Sequence, residues 1–509
     1  MRRYAAVDIG SNSIRMLAAE TTPQGATRFL AAERQVVRLG ESVFRAGRIG
    51  REAMEFAAAT LERMAEIYNR HGVIAVRAVA TSAVRDASNQ QEFLERASQA
   101  LGTNVEIISG QEEARLIHLG VQTRWPQPGK RILIVDVGGG SAEIVVGEDK
   151  TLIDAFSKPL GAVRLNEVFL RSDPPTDLEL HQMNEYIEEK LSAPVSKIGR
   201  GRFDRVIATS ASAAAIVCAV NRVPRARRDD ADRLRASTAQ IRRLYRQLSA
   251  ENLAGRRRIL GIGPRRAEII VAGVAVFLKV LEKFQQPALS YSAAGVRDGI
   301  IADLASRGVG SELARLPRDQ RKVVETMARR YGVAVPHARQ VARLALHLFE
   351  SLQHVHKLPQ GHGRLLEAAA YLHDIGHFVS DTSHHKHSYY LVANSDMPGF
   401  TDGERRIVAT LCRYHRKAMP TMRHQTFESF DADTRRAILL LAPLLRLADS
   451  LDRSHDQRLT GVDVQLKNGN VVVALSSPAD TDLELWAAER TASVFRDIYQ
   501  MPLTLSKVR

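Results

Sequence analysis

Cysteine is almost missing from these 509 residues: there are two, Cys218 and Cys412, far apart in the chain. That excludes a disulfide-built scaffold and fits a reducing compartment, so a cytoplasmic location is expected. No apolar run approaches the roughly 20 residues that span a bilayer, and the N-terminal arginines lead straight into a strand carrying Asp8, so neither a leader nor an integral membrane segment is expected. Aromatic residues are only 6% and do not interleave with the basic ones, which argues against stacking on bases and hence against a nucleic-acid partner. Acidic residues are in deficit too, 57 against 72 Lys and Arg, leaving a formal charge of +15. A polyanionic partner is favoured. Without base-stacking groups the best match is a polymer of phosphates, with a peripheral contact to an anionic inner membrane face as another use of the charge.

What is present is organised around Arg131 to Glu148, RILIVDVGGGSAEIVVGE. Ile132–Val137 and Ile144–Val146 are β-branched apolar runs too short for helices, so they read as buried strands joined by Gly138, Gly139, Gly140 and Ser141. Three glycines permit positive φ, and consecutive N–H groups in that geometry converge on an anion. Asp136 and Glu143 flank the turn, where both can face one magnesium ion and its phosphate. The plainer alternative is a tight turn beside an incidental acid. Against it stands a partner near the N-terminus, AAVDIGSNS, where a strand with Asp8 runs through Gly10 to Ser11, Asn12 and Ser13. Two copies of one strand-Asp-x-Gly unit imply a duplicated fold with two phosphate loops at one cleft, the plan of the actin and sugar-kinase superfamily.

Further residues point to the same cleft. Arg85 follows the strand Val73–Ala80, where a guanidinium can fork phosphate oxygens; a helix-surface arginine is the alternative. Ser109 and Glu112 have the spacing of a capping box, which gives Glu112 a structural duty. Glu113 points about 100° away and is free to orient or deprotonate a water, unless it is a solvated acid favoured by the helix dipole. Trp125–Lys130 is a linker by composition, and VIATSAS (206–212) is a candidate third wall. Arginines concentrate from Arg222 to Arg266; pairs such as Arg256 and Arg257 are candidates for a basic track. From about Leu313 the pattern turns helical, and His337, the pair His373-Asp374, and Asp449 fall on separate helices in the ligand order of HD-type phosphohydrolases. Imidazoles with carboxylates suit a divalent ion, though single His and Asp residues are usually structural. His384, His385, His387 and His415 add a histidine-rich zone. The last fifty residues read as a small α/β piece: a hairpin turned at Asn468-Gly469, a helix through Trp486 and Phe495, and a strand from Leu503 to Val508.

The stretches VDIGSNS, ATSAVRD, IISGQEEARLIHLGV, VDVGGGSAEIVVG, SAAGVRDG, LHDIGH, HSYYLVANSDMPGF and RYHRKA resemble, in order and over nearly the whole chain, the exopolyphosphatase and guanosine pentaphosphate phosphohydrolase family. The resemblance implies an α/β fold of two actin-like (ribonuclease H-like) domains, residues 1–124 and 125–308. An all-α HD-type domain (309–460) and a small α+β C-terminal domain (461–509) would follow. It implies Glu113 as general base, phosphate held by Ser11–Ser13, Gly138–Ser141 and Arg85, and magnesium, or manganese, at Asp8, Asp136 and Glu143. His337, His373, Asp374 and Asp449 would form a second divalent-metal site. The expected activity is release of orthophosphate from the end of inorganic polyphosphate by a homodimer. The alternatives are hydrolysis of guanosine pentaphosphate to the tetraphosphate, a kinase of the same fold, and a nucleotide-sensing regulator whose HD domain alone is active.

Overall fold

Small and β-branched apolar residues build β1 (Arg2–Ile9), the centre of a five-stranded mixed sheet. With β2 (Ser13–Thr21), β3 (Thr27–Val36), β4 (Ala75–Ala80) and β5 (Val105–Ile107) it gives the order β3-β2-β1-β4-β5, in which β4 and β5 run parallel to β1. A second sheet is built from β6 (Arg131–Val137), β7 (Ala142–Glu148), β8 (Thr151–Lys158), β9 (Arg205–Thr209), β10 (Arg235–Ser237) and β11 (Ala288–Tyr291). Its order, β10-β11-β9-β6-β7-β8, repeats the first with one added antiparallel edge. The duplication expected from the two Asp-x-Gly stretches is therefore visible in the strand order. It is also visible in sequence at the ends of β4 and β9, where Ala80-Thr81-Ser82-Ala83 recurs as Ala208-Thr209-Ser210-Ala211. In register, Asp8 lies opposite Arg15, and Asp136 opposite Glu143.

The structure is a computed structural model that describes residues 1–22, 26–199, 203–307, 315–467 and 469–507. It divides into two compact units, Met1–Val309 and Gly310–Arg509. In the first unit two helices exchange sheets. Gly110–Arg124 buries Ala114, Ile117 and Val121 against Ile132, Ile134 and Val145, whereas Val296–Arg307 lays Ile300, Ile301 and Leu304 on Tyr4, Ala6 and Leu17. They touch backbone to backbone: a Cβ on Gly120 would sit 2.4 Å from the Gly295 carbonyl oxygen, and one on Gly299 1.9 Å from that of Leu116. Only glycine allows that approach, which fixes the helix bearing Glu113 against both sheets.

In the second unit the helices Val335–Ser351, Gly361–Leu372, His384–Ala393, Asp402–Tyr414 and Ala432–Ser450 share one hydrophobic cluster. That cluster takes in Val471, Val473 and Leu475 of a three-stranded sheet, β12 (Gly461–Lys467), β13 (Asn470–Ser476) and β14 (Leu503–Lys507). The single C-terminal helix expected through Trp486 and Phe495 is two, Asp482–Glu489 and Ala492–Tyr499. Thr491 causes the break, its N–H and hydroxyl both donating to the Ala488 carbonyl at the end of the first helix. Leu313, Asn468, Val508 and the expected boundary at 308–309 fall outside the described residues. Among the described residues no helix is long and apolar enough to cross a membrane.

Candidate active site

The two repeated turns face each other in the first unit. Each closes on itself in the same way, Gly10 N–H donating to the Ser13 carbonyl at 3.2 Å and Gly138 N–H to that of Ser141 at 3.0 Å. The expectation of left-handed glycines is not met: none of Gly138, Gly139 and Gly140 has a positive φ. Their reason is space. A Cβ on Gly139 would lie 2.9 Å from Ser11 Cβ, and one on Gly140 2.4 Å from Ser82 Oγ and 2.7 Å from Ser11 Oγ. The left-handed residue at this site is instead Ser210, with φ 88°, at the third loop, a strained conformation of the kind that gathers at functional sites.

Between the turns is a cleft of about 110 Å³ lined by Asp8, Ser11, Asn12, Ser13, Glu113, Asp136 and Gly138–Ser141, so the expected loops and three of the expected acids are brought together. Glu143 stands just behind, fully buried, with Oε1 accepting from Ser157 Oγ at 2.8 Å and Oε2 without a partner. Arg85 also stands behind the lining, its Nη1 donating to the Ile108 carbonyl at 2.7 Å. The acids crowd one another. Burial, then the charge of Glu143, pushes the Glu113 carboxyl well above its usual range, against the pull of Arg85. Burial and Asp136 push Glu143 up to about 8. Burial also raises Asp8 and Asp136, partly offset by Arg15 and Arg297 for the first and by a hydrogen bond from Thr209 for the second. Glu113 Oε2, like Glu143 Oε2, is buried without a hydrogen-bond partner. Carboxylates with unpartnered oxygens are of the kind a hard divalent cation takes, although among the described residues no three of these acids bring ligand atoms within 4.8 Å of one another.

Glu112 has gone elsewhere. Ser109 Oγ accepts its N–H at 3.1 Å, as a cap should, while its carboxylate engages Arg77 at 3.0 Å and Arg115 at 2.7 Å in a buried ion network with Asp303 and Glu106. Two guanidiniums hold a carboxylate more firmly than one backbone N–H can.

Of the basic half of the cleft, sequence reasoning singled out the Arg222–Arg266 stretch, which supplies Arg228 and Arg266, but missed Arg15 and Arg297. Arg15, Arg228, Arg266 and Arg297 line it opposite the acids. The cleft continues through Asn12, Ala211, Arg228 and Arg266 into a second space of about 440 Å³, which adds Arg34, Arg225 and Arg265 and has no aromatic lining. Among the described residues none of these arginines has a salt-bridge partner within 4.0 Å. Burial, then Arg15 and Arg228, brings Arg266 down to about 9; burial, then Arg15 and Arg266, does the same for Arg34. Seven guanidiniums from five separate segments call for an anion of several charges. Arg256 is a correction: it is buried and paired with Asp173, and Arg257 pairs with Glu268, so this pair is not a free basic track.

The second unit gathers His337, His373, Asp374 and Asp449, whose ligand atoms lie within 4.8 Å of one another. His337 Nδ1 is bonded to Asp452 at 2.8 Å and His373 Nδ1 to the Ala370 carbonyl at 2.9 Å, which turns both Nε2 atoms toward the acids. Against the cost of burial, Asp374 and Asp449 push His373 up to about 9, and His373 and His377 hold Asp374 well below the carboxylate range.

A duplicated mixed-sheet fold with buried acids and phosphate-sized turns at the junction of its halves defines a phosphate-handling α/β enzyme of the actin-like class. The chain belongs to the Ppx/GppA phosphatase family, a family of hydrolases: residues 18–307 match the family, and residues 320–488 match its domain III. It is 26% identical over 502 residues, 96% of both chains, to a guanosine-5'-triphosphate,3'-diphosphate pyrophosphatase of Vibrio vulnificus. The solved PPX-GPPA enzyme of Aquifex aeolicus is 30% identical and superposes with a TM-score of 0.52, over 59% of this chain and 99% of that one. An exopolyphosphatase of Cytophaga hutchinsonii is 27% identical with a TM-score of 0.55, over 60% and 98%.

Proposed function

We propose that the first unit is an exopolyphosphatase that removes orthophosphate from the end of inorganic polyphosphate. The observation that carries this reading is the arginine-lined extension of the cleft, which offers charge to several phosphates and no aromatic surface to a base. The terminal phosphate lies between Ser11–Ser13 and Gly138–Ser141, with Arg85 assisting from behind the lining. Asp8, Asp136 and Glu143 would hold magnesium, or manganese, which would supply neutralisation of phosphate oxygens and so a more electrophilic phosphorus. Glu113, a buried carboxyl lining the cleft with Oε2 free of any hydrogen-bond partner, takes a proton from water as the water oxygen attacks the terminal phosphorus. The P–O bond to the next phosphate breaks, orthophosphate leaves, and Arg15, Arg266 and Arg297 retain the shortened chain.

Hydrolysis of guanosine pentaphosphate to the tetraphosphate is the second reading, favoured by the Vibrio vulnificus relative's similarity over 96% of the chain. Phosphate release from long-chain polyphosphate, measured with and without guanosine pentaphosphate as competitor, separates the two. Polyphosphate turnover that the nucleotide leaves untouched supports the first; release from the nucleotide alone overturns it. We also assign residues 1–124 and 125–308 as the two actin-like domains, 309–460 as an HD-type domain holding a divalent ion at His337, His373, Asp374 and Asp449, and 461–509 as a small α/β domain. The protein is read as a cytoplasmic homodimer.

A further inference from the structure

The two repeated turns are fastened from behind, and not in the same way. In the first copy the Ser11 carbonyl accepts the Gly40 N–H at 2.7 Å, and the Asn12 carbonyl accepts those of Val37 and Arg38 at 3.2 and 3.1 Å. All three donors are main chain, at or just before the start of the helix Leu39–Ala46. In the second copy the helix Ala162–Phe169 takes that place. The Gly138 carbonyl accepts from the Ala162 N–H at 3.0 Å, and that of Gly139 from Val163 and Arg164 at 2.9 and 3.0 Å. The helix comes this close because residue 161 is glycine, where a Cβ would lie 2.3 Å from the Gly139 carbonyl. The Gly140 carbonyl, which corresponds to that of Asn12, is held by a side chain: it accepts from Arg164 Nε at 2.8 Å.

Peptide planarity carries these bonds through to the cleft. In a trans peptide the C=O of one residue and the N–H of the next point in opposite directions. A carbonyl drawn back to the helix therefore turns the following N–H forward. The donors turned forward are those of Asn12 and Ser13 in the first copy and of Gly139, Gly140 and Ser141 in the second, and all these residues line the cleft. Among them, the Ser141 N–H is aimed by a side chain. That side chain is held by the other copy: Arg164 Nη2 donates to Ser82 Oγ at 3.1 Å and to Asp86, and the guanidinium stands 4.0 Å from the centre of the Phe44 ring. Its orientation at Gly140 thus requires both halves of the fold to be together.

We propose that Arg164, which is not itself part of the cleft lining, is a positioning residue that couples the approach of the two copies to the aim of the Ser141 N–H at the terminal phosphate. The proposal rests on the reading of this cleft as the site of phosphate hydrolysis. A donor fixed in advance stabilises the charge that develops on the phosphate oxygens.

The test uses full-length protein carrying ¹⁵N-labelled glycine and serine, with inorganic phosphate as the probe. In the parent, saturating phosphate should shift the amide resonances of Ser13, Gly140 and Ser141. In Arg164→Ala the Ser141 shift should be lost and the Ser13 shift kept. With long-chain polyphosphate, kcat should fall about 10²-fold, the loss of one preorganised donor. KM should stay within about threefold, because Arg15, Arg266 and Arg297 still hold the chain. Guanidinium ion at millimolar concentration should restore part of the lost rate, which a general folding defect would not allow. Arg164→Lys covers an alanine variant that does not fold: it keeps a charge beside Asp86, but its single nitrogen cannot also hold the Gly140 carbonyl, so the Ser141 shift should again be lost. A parent whose amides ignore phosphate overturns the proposal. So does a folded variant whose Ser141 amide still answers phosphate, or one in which KM rises while kcat is intact, the mark of a strap that only ties the halves. A parent that releases nothing from polyphosphate overturns the substrate reading instead, and the amide shifts then still decide the role of Arg164.

Discussion

The two units arrange their acids in opposite ways. In the first, Asp8, Glu113, Asp136 and Glu143 are buried together, and their pKa values rise because each is desolvated and several repel one another. In the second, Asp374 and Asp449 are partly exposed and face imidazoles, and their pKa values fall. An all-oxygen set left in electrostatic debt gains most from a hard ion arriving with its phosphate. A mixed nitrogen and oxygen set is already balanced and suits an ion that stays. The same residue type thus sits in opposite electrostatic settings in the two units.

The sharpest way to break this contrast is to disable each centre alone. Asp136→Asn should abolish polyphosphate hydrolysis, and Glu113→Gln should lower turnover by about 10²–10⁴-fold with the substrate still bound. The double change His373→Ala and Asp374→Ala should leave hydrolysis of short substrates near the parent rate, provided circular dichroism and a melt show it folded. If that folded variant is inactive while Asp136→Asn works, the roles of the two centres are reversed.

A smaller effect is expected on the basic side. Arg266→Ala removes one charge-assisted phosphate contact of about 1.5–3 kcal/mol, so the KM for polyphosphate should rise about 10- to 100-fold with kcat little changed. Removing Arg256 should act on folding instead, because it is tied to Asp173. Equal effects of the two changes on KM would erase the distinction between cleft and scaffold arginines.

Glu112 tests the division within one helix turn. Glu112→Ala leaves buried guanidiniums of Arg77 and Arg115 short of a carboxylate and should cost about 3 kcal/mol of stability, with the rate per folded molecule preserved. A loss of rate matching that of Glu113→Gln would sink the assignment of the base.

The remaining expected effect is a pH slope. Glu143 is raised from 4.5 to about 8, so its protonated form favours folding. That contribution is whole below pH 4.5 and is lost as pH rises through 8. The metal-free protein should melt progressively lower across that window, Glu143→Gln should flatten the slope, and magnesium should raise the midpoint more at pH 8 than at pH 5. A melt independent of pH and magnesium would show that the acids are not the ion's ligands.

Much of this was readable from residue order. The apolar runs, the Asp-x-Gly turns and the separation of Glu112 from Glu113 are local signals, and the folded chain places Asp8, Glu113 and Asp136 at one cleft. The arginines were not readable. Arg266 and Arg297 sat in noted stretches, but an arginine aimed into a cleft and one in water look alike until β2, β3 and three distant segments converge. The glycines were recognised for the wrong reason, since crowding between Gly139 and Ser11 is a contact across halves of the fold.

The register of the two sheets has one more consequence. Where the second copy sets Glu143 opposite Asp136, the first sets Arg15 opposite Asp8. A faithful duplication would have produced a cleft with twofold symmetry, indifferent to which way a linear polyanion lay in it. Reversing the sign at a single equivalent position destroys that indifference. On the proposed polyphosphate reading, the cleft acquires a head and a tail, so that a symmetrical chain of phosphates would lie in it one way.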